Sequence, residues 1–181
     1  MRKLTTVVAL GLLLVVSAYA VEDNFTITVS VEWMSISLLK ADSTVDYTNW
    51  DLGAVSAGNV STMTTGAAGS HVLVDNNCNN PVDFSAYSTT VVPGACGYGT
   101  PTIWTPGAAA GNNIYRLEGG KSTVGALPGA WTNITSAVTP GNSYAPGEPA
   151  ATNHRFYARF TAPTSVADGC THTITVYIVA Q

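Results

Sequence analysis

The stretch Asn24–Leu39 reads NFTITVSVEWMSISLL. Phe25, Ile27, Val29, Val31 and Trp33 hold its odd positions, with Thr26, Thr28, Ser30 and Glu32 between them. Alternation of apolar and polar residues is the mark of a strand with one buried face. After Trp33 the phase slips by one, and Met34, Ile36 and Leu38 carry the apolar face. A one-residue slip sends every later side chain to the opposite side of a sheet. A strand usually has about five or six residues, so an unbroken strand of this length would overrun a sandwich of this size. Two structures satisfy the slip. In one, a β-bulge lets an edge strand bend and switch sheets within its own domain. In the other, Met34–Leu39 is the first strand of the home domain, and Phe25–Val31 is an arm that adds to a sheet of the next subunit.

The same alternation recurs along the chain. Pro81–Ser88 sets Val82, Phe84 and Ala86 against Asp83, Ser85 and Tyr87. Arg155–Thr161 sets Phe156, Ala158 and Phe160 inward and Arg155, Tyr157 and Arg159 outward. Thr171–Ala180 is the cleanest, with Ile174, Val176, Ile178 and Ala180 on one face. The last two strands flank a turn at Asp168-Gly169 and are expected to pair antiparallel. His71–Asp75 and Asn113–Glu118 are weaker strands. Gly and Pro punctuate the chain at short intervals, and few segments carry helical spacing. Gly99–Gly111 and Lys121–Asn153 read as long irregular loops. These features predict an all-β chain: an Ig-like or jelly-roll β-sandwich with an extended N-terminal strand.

What precedes the strand run is a separate object. Arg2 and Lys3, the apolar run Val7–Val16 and the small–x–small Ala18-Tyr19-Ala20 match a secretory signal peptide cut after Ala20. The run is short for a bilayer span. The expected organisation is a signal over 1–20, an arm over 21–33 and a β-sandwich over 34–181, secreted or held at the cell surface, with no membrane contact after cleavage. Cleavage leaves 161 of the 181 residues, five Lys/Arg against eleven Asp/Glu, and a net charge of −6. No basic cluster is present, which argues against a nucleic-acid partner. Charge is sparse, a liability for a free monomer but less so for a chain that packs against copies of itself.

Catalytic and metal chemistry is not written in the chain. No nucleophile elbow, phosphate loop, H-E-x-x-H or C-x-x-C occurs. His71, His154 and His172 are scattered, and His172 shares a face with Ile174, as a packed histidine would. Asp75–Asn80 lacks the glycine and closing glutamate of a calcium loop and reads as an Asn-rich turn. No enzyme, cofactor or metal is expected. Of Cys78, Cys96 and Cys170, the nearest pair, Cys78–Cys96, is the first candidate for a disulfide in an exported chain, with about 3 kcal/mol from closing its loop. Separation alone does not exclude the other pairings. Asn24, Asn59 and Asn133 begin N-x-S/T triplets that fit N-glycosylation. Trp104 and Trp131 sit in the loops, either as end plugs or as a platform for surface glycans.

The pattern ISISLL, DYTNWDLGAVSAG, VLVDNNCNNPVDFSAYS and RFYARFTAPTSVADGCTHTITVYIVAQ resembles secreted prokaryotic β-sandwich fibre subunits, of the TasA/camelysin and archaeal bundling-pilus type. The resemblance spans most of the chain after the signal and does not account for the three cysteines. It implies that the N-terminal strand complements the adjacent subunit, a role that falls on Phe25–Val31 and the adjoining Trp33. The expectation is therefore a structural subunit that polymerises head-to-tail into extracellular filaments, with Asn24–Glu32 as donor. The alternative is a monomeric secreted carbohydrate-binding or adhesin module using Trp104, Trp131 or nearby tyrosines. A secreted hydrolase ranks below both.

Overall fold

The computed structural model describes residues 34–41, 44–66, 71–91, 93–123, 125–137, 142–166 and 168–181. The expected signal peptide and arm, including Asn24, Phe25, Ile27, Val29, Val31 and Trp33, lie outside these residues. The described chain is all-β. Its largest sheet runs β1 (Ile36–Lys40), β3 (Val72–Asn76), β10 (Asn153–Thr161), β7 (Ile114–Ser122) and β6 (Thr105–Pro106). Two short strands extend it: β2 (Val60–Thr62) on β10 and β8 (Thr132–Ile134) on β7. A three-stranded sheet runs β12 (Val176–Ala180), β4 (Val82–Ser88) and β9 (Ala145–Glu148). A two-stranded ribbon joins β5 (Pro93–Cys96) to β11 (Cys170–His172).

The expected strands explain the core. Val72 and Val74 from β3, Val82 and Phe84 from β4, Tyr115 and Leu117 from β7, and Phe156, Ala158 and Phe160 from β10 bury into one apolar cluster. Strands of both larger sheets contribute, as in a β-sandwich. Tyr115 is tied within it by its hydroxyl, which donates to the Thr89 carbonyl at 2.7 Å. A buried tyrosine needs such a partner.

Three expectations are corrected. First, the last two long strands do not pair. Thr171–Ala180 breaks at 173–175, so β11 joins the ribbon while β12 joins β4 with the register Val176↔Ser88 to Ala180↔Phe84. β10 pairs instead with β3, β7 and β2. The reason is that the two ends of this segment are claimed by different partners, Cys96 at Cys170 and β4 beyond Thr175. Second, Tyr157, expected to face solvent, is fully buried. It stands opposite Gly120 in the register, and a Cβ on Gly120 would meet Pro128 at 2.6 Å and the Ala130 carbonyl at 2.7 Å. The chain after β7 is therefore folded down onto this face of the sheet. Third, the supposed loops contain β6, β8 and β9. Pro106 disguises β6 and Pro146-Gly147 disguise β9, because proline is tolerated in edge strands and not in central ones, while β8 has only three residues.

Among the described residues, the buried carboxylates Glu118, Glu148 and Asp168 each face a basic partner. Glu118, 2 % exposed, receives both arms of Arg159 at 2.7 and 2.9 Å and Arg116 at 2.7 Å. Arg159 also lies 4.7 Å from the Trp131 ring centroid. His154 is held neutral: burial lowers its pKa to about 4, with nearby Glu148 opposing and Lys121 adding to the effect. The unfolded imidazole titrates near ~6.5 and so takes up a proton first as pH falls. The contribution of this group is complete above about pH 6.5 and is lost as pH drops toward 4, by roughly 3 kcal/mol. Urea unfolding at pH 7 and pH 4 should show that loss, and His154→Gln should shrink it. An unchanged pH slope in the variant would contradict the assignment.

Candidate functional site

Every open sheet carries edges, and an unpaired edge is a template for another strand. In this chain most edges are blunted. β6 ends on Pro106, β9 contains Pro146, and β5 begins at Pro93. β2 and β8 have three residues each. β1 is partly covered by the chain that follows it: the Lys40 N–H donates to the Val45 carbonyl and the Tyr47 N–H to the Leu38 carbonyl, both at 2.8 Å. β12 differs. Its sequence, VYIVA, has no proline, glycine or charge, and among the described residues it pairs only with β4.

The orientation of the β12 backbone follows from the printed bonds. The Thr89 N–H donates to the Thr175 carbonyl at 3.0 Å, and Asp83 and Gln181 exchange N–H to C=O bonds at 2.9 Å. Odd-numbered residues thus face β4. Antiparallel pairs alternate in this respect, so Val176, Ile178 and Ala180 direct their N–H and C=O groups to the open side. Their side chains pack partly buried against the core, whereas Tyr177, 44 % exposed, points outward and stacks on Tyr87 at 4.7 Å.

Beside this edge lies a groove. Ile178, Val179 and Ala180 form one wall, and Met34, Ser35 and Ile36 form the other, enclosing an open space of about 240 Å³. The wall from β1 is fixed by bonds to the Asn-rich turn: the Ser35 carbonyl accepts from the Asn77 N–H at 2.9 Å and from the Cys78 thiol at 3.6 Å. Asn76 shapes that turn by accepting the Cys78 N–H on its own side chain at 3.1 Å. Met34 is 63 % exposed. The groove therefore runs along the seam between the edges of the two larger sheets, and five of its six lining side chains are apolar.

The other predicted residues are placed as follows. The disulfide joins Cys96 to Cys170, not Cys78 to Cys96. Cys96 and Cys170 stand directly opposite one another in the ribbon, while Cys78 is free and buried against β1. Distance along the chain misled here because the ribbon brings together residues 74 apart. Next to the disulfide, Asp168 accepts from the Thr102 N–H at 2.6 Å and pairs with His172 at 3.0 Å. Burial alone would raise this carboxyl; the bonds from His172, Thr102 and the Cys170 N–H outweigh it and hold the group below the usual carboxylate range. His172 is packed as expected, stacked on Trp104 at 3.7 Å. Trp104 is thereby buried and offers no platform for a glycan, while Trp131 is half-buried beside Arg159. Asn59 stands exposed in a turn, whereas the side-chain carbonyl of Asn133 in β8 accepts from Arg116 at 3.1 Å.

Sequence reasoning missed the acceptor-like surface, Met34–Ile36 with Ile178–Ala180. The legible signal was an apolar strand without a gatekeeper residue, beside strands that have one. No protein-family model, curated protein or solved structure matches the chain.

Proposed function

We propose that this protein is a secreted structural subunit that polymerises into extracellular filaments by donor-strand complementation. The observation that carries the proposal is the unblunted edge of β12, unpaired among the described residues, beside the groove lined by Met34–Ile36 and Ile178–Ala180. The segment Asn24–Glu32 suits such an edge. Its Phe25, Ile27, Val29 and Val31 would continue the core-facing row of Ile178 and Ala180, and its Thr26, Thr28 and Ser30 would continue the outer face. Burying the four apolar residues is worth roughly 1.5–3 kcal/mol each, and the backbone bonds satisfy an edge that otherwise invites aggregation. Donor and acceptor surfaces differ, so the contact is head-to-tail and propagates. An Ig-like or jelly-roll connection of the sheets, the cleaved signal and the extracellular location belong to the same proposal. The Cys96–Cys170 disulfide supports an oxidising compartment.

The test is negative-stain microscopy of the secreted protein with and without residues 21–33. Filaments are expected from the full mature chain and monomers from the truncated one, with the same far-ultraviolet circular dichroism. Filaments formed equally well by the truncated chain would overturn the proposal.

A further inference from the structure

Lys121 stands near the end of β7, in the large sheet, and Glu148 at the end of β9, in the three-stranded sheet. The Lys121 Nζ is in direct contact with Oε1 of Glu148. The lysine stem is partly exposed, but the carboxylate it reaches is 6 % exposed. The second oxygen, Oε2, faces Nδ1 of His154 at 3.9 Å. That Nδ1 is buried and has no hydrogen-bond partner among the described residues. On the far side of the ring, Nε2 lies 3.1 Å from the Tyr144 hydroxyl. A tyrosine hydroxyl that donates to Nε2 leaves the single proton of a neutral imidazole on Nδ1. His154 then presents N–H to one carboxyl oxygen while an amine sits at the other.

We propose that Lys121 and Glu148 condense to an intramolecular amide that joins the two sheets covalently. The ammonium surrenders two protons, the carboxylate gives up one oxygen, and these leave together as water. The Nζ–Cδ bond forms as the Cδ–O bond breaks, and no oxidant or other reactant is needed. The reactive forms are the amine and the acid, and transfer of one proton from the ammonium to the carboxylate within the contact supplies both. Groups held in contact by a folded scaffold react with effective molarities of about 10⁵–10⁸ M, which offsets the unfavourable equilibrium of amide formation in water. His154 Nδ1, 3.9 Å from Oε2, faces the carboxyl and polarises it, while both protons of the departing water come from the Lys121 ammonium. Both reacting residues sit on strands, so their approach is set by the sheets. The amide is independent of whether the chain polymerises.

The experiment is intact-mass spectrometry of the purified, secreted chain, followed by tryptic mapping. The expected mass is lower than that of the sequence by one water, beyond the two hydrogens of the disulfide. Trypsin should fail to cut after Lys121, and one branched peptide should contain both Lys121 and Glu148. Lys121→Arg keeps the charge pair, and so the fold, but supplies no amine; its mass should show no loss of water. A wild-type mass equal to the disulfide-bonded sequence, with the Lys121 and Glu148 peptides recovered separately, overturns the proposal. So does a water loss that persists in Lys121→Arg.

Discussion

Replacing Ala180 by proline is expected to abolish filaments while leaving the subunit folded. The parity of β12 decides this. Gln181 and Asp83 exchange backbone bonds, so the Ala180 N–H points away from β4 toward the groove. Proline removes that donor and holds φ near ~−65°, and it biases the preceding residue toward the extended conformation that Val179 already needs. The side chain stays small, so the half-buried position beside Ile36 is kept. An incoming strand, however, loses a ladder bond at the C-terminal end of its docking edge, where Ala180 lines the groove, and meets the ring. Filament length and number by negative stain should fall to background, with little change in the thermal midpoint. Val179→Pro is the contrasting variant: its N–H belongs to the β4 side, opposite Ser85, so the fold itself should weaken. If Ala180→Pro assembles like the wild type, β12 is not the acceptor edge, whatever becomes of the arm.

The second large effect is expected from the disulfide. Cys96 and Cys170 close a loop with a sequence separation of 74, worth about 4.5 kcal/mol in the chain-entropy model. That is a large share of the roughly 5–15 kcal/mol that holds an ordinary domain together. Cys170→Ser, or mild reduction of the wild type, should lower the unfolding free energy by that order in a urea titration. Cys96 is exposed, so a reductant can reach the bond without prior unfolding. The ribbon it staples is also tied by Asp168 with Thr102 and His172, by the Gly97–Gly169 backbone bond and by the stack of His172 on Trp104, so local loosening should appear first around Trp104, detectable as a shift in tryptophan fluorescence. Coincident urea curves under oxidising and reducing conditions would contradict this assignment.

Much of the fold was legible because its signals are local. Val82, Phe84, Phe156, Ala158 and Phe160 lie in alternating runs, and a run of period two needs no knowledge of its partner to be read as a strand. Tyr157 and Glu118 defeat that logic. Each stands on the outward side of its strand and is nonetheless buried, Glu118 within a network of two arginines and Tyr157 opposite a glycine where Pro128 and Ala130 come down on the sheet. Alternation reports which side of a strand a residue takes, not what later covers that side. β9 was hidden for another reason: Pro146 and Gly147 read as a turn until Glu148 and Ala145 are seen paired to Val82 and Phe84.

The sequence by itself determined that the chain is built of strands, that its charge is sparse and net acidic, and that an alternating apolar run with a slip of phase leads into Met34–Leu39. These follow from periodicity and composition, which are properties of neighbours along the chain. Only the tertiary structure decided that Cys170 meets Cys96, that Thr171–Ala180 divides between two sheets, and that among the described residues β12 pairs only with β4, beside Met34–Ile36. Those outcomes depend on which strands win each partner. Pairing is a contest among residues far apart in sequence, settled by the burial and backbone bonds of the whole.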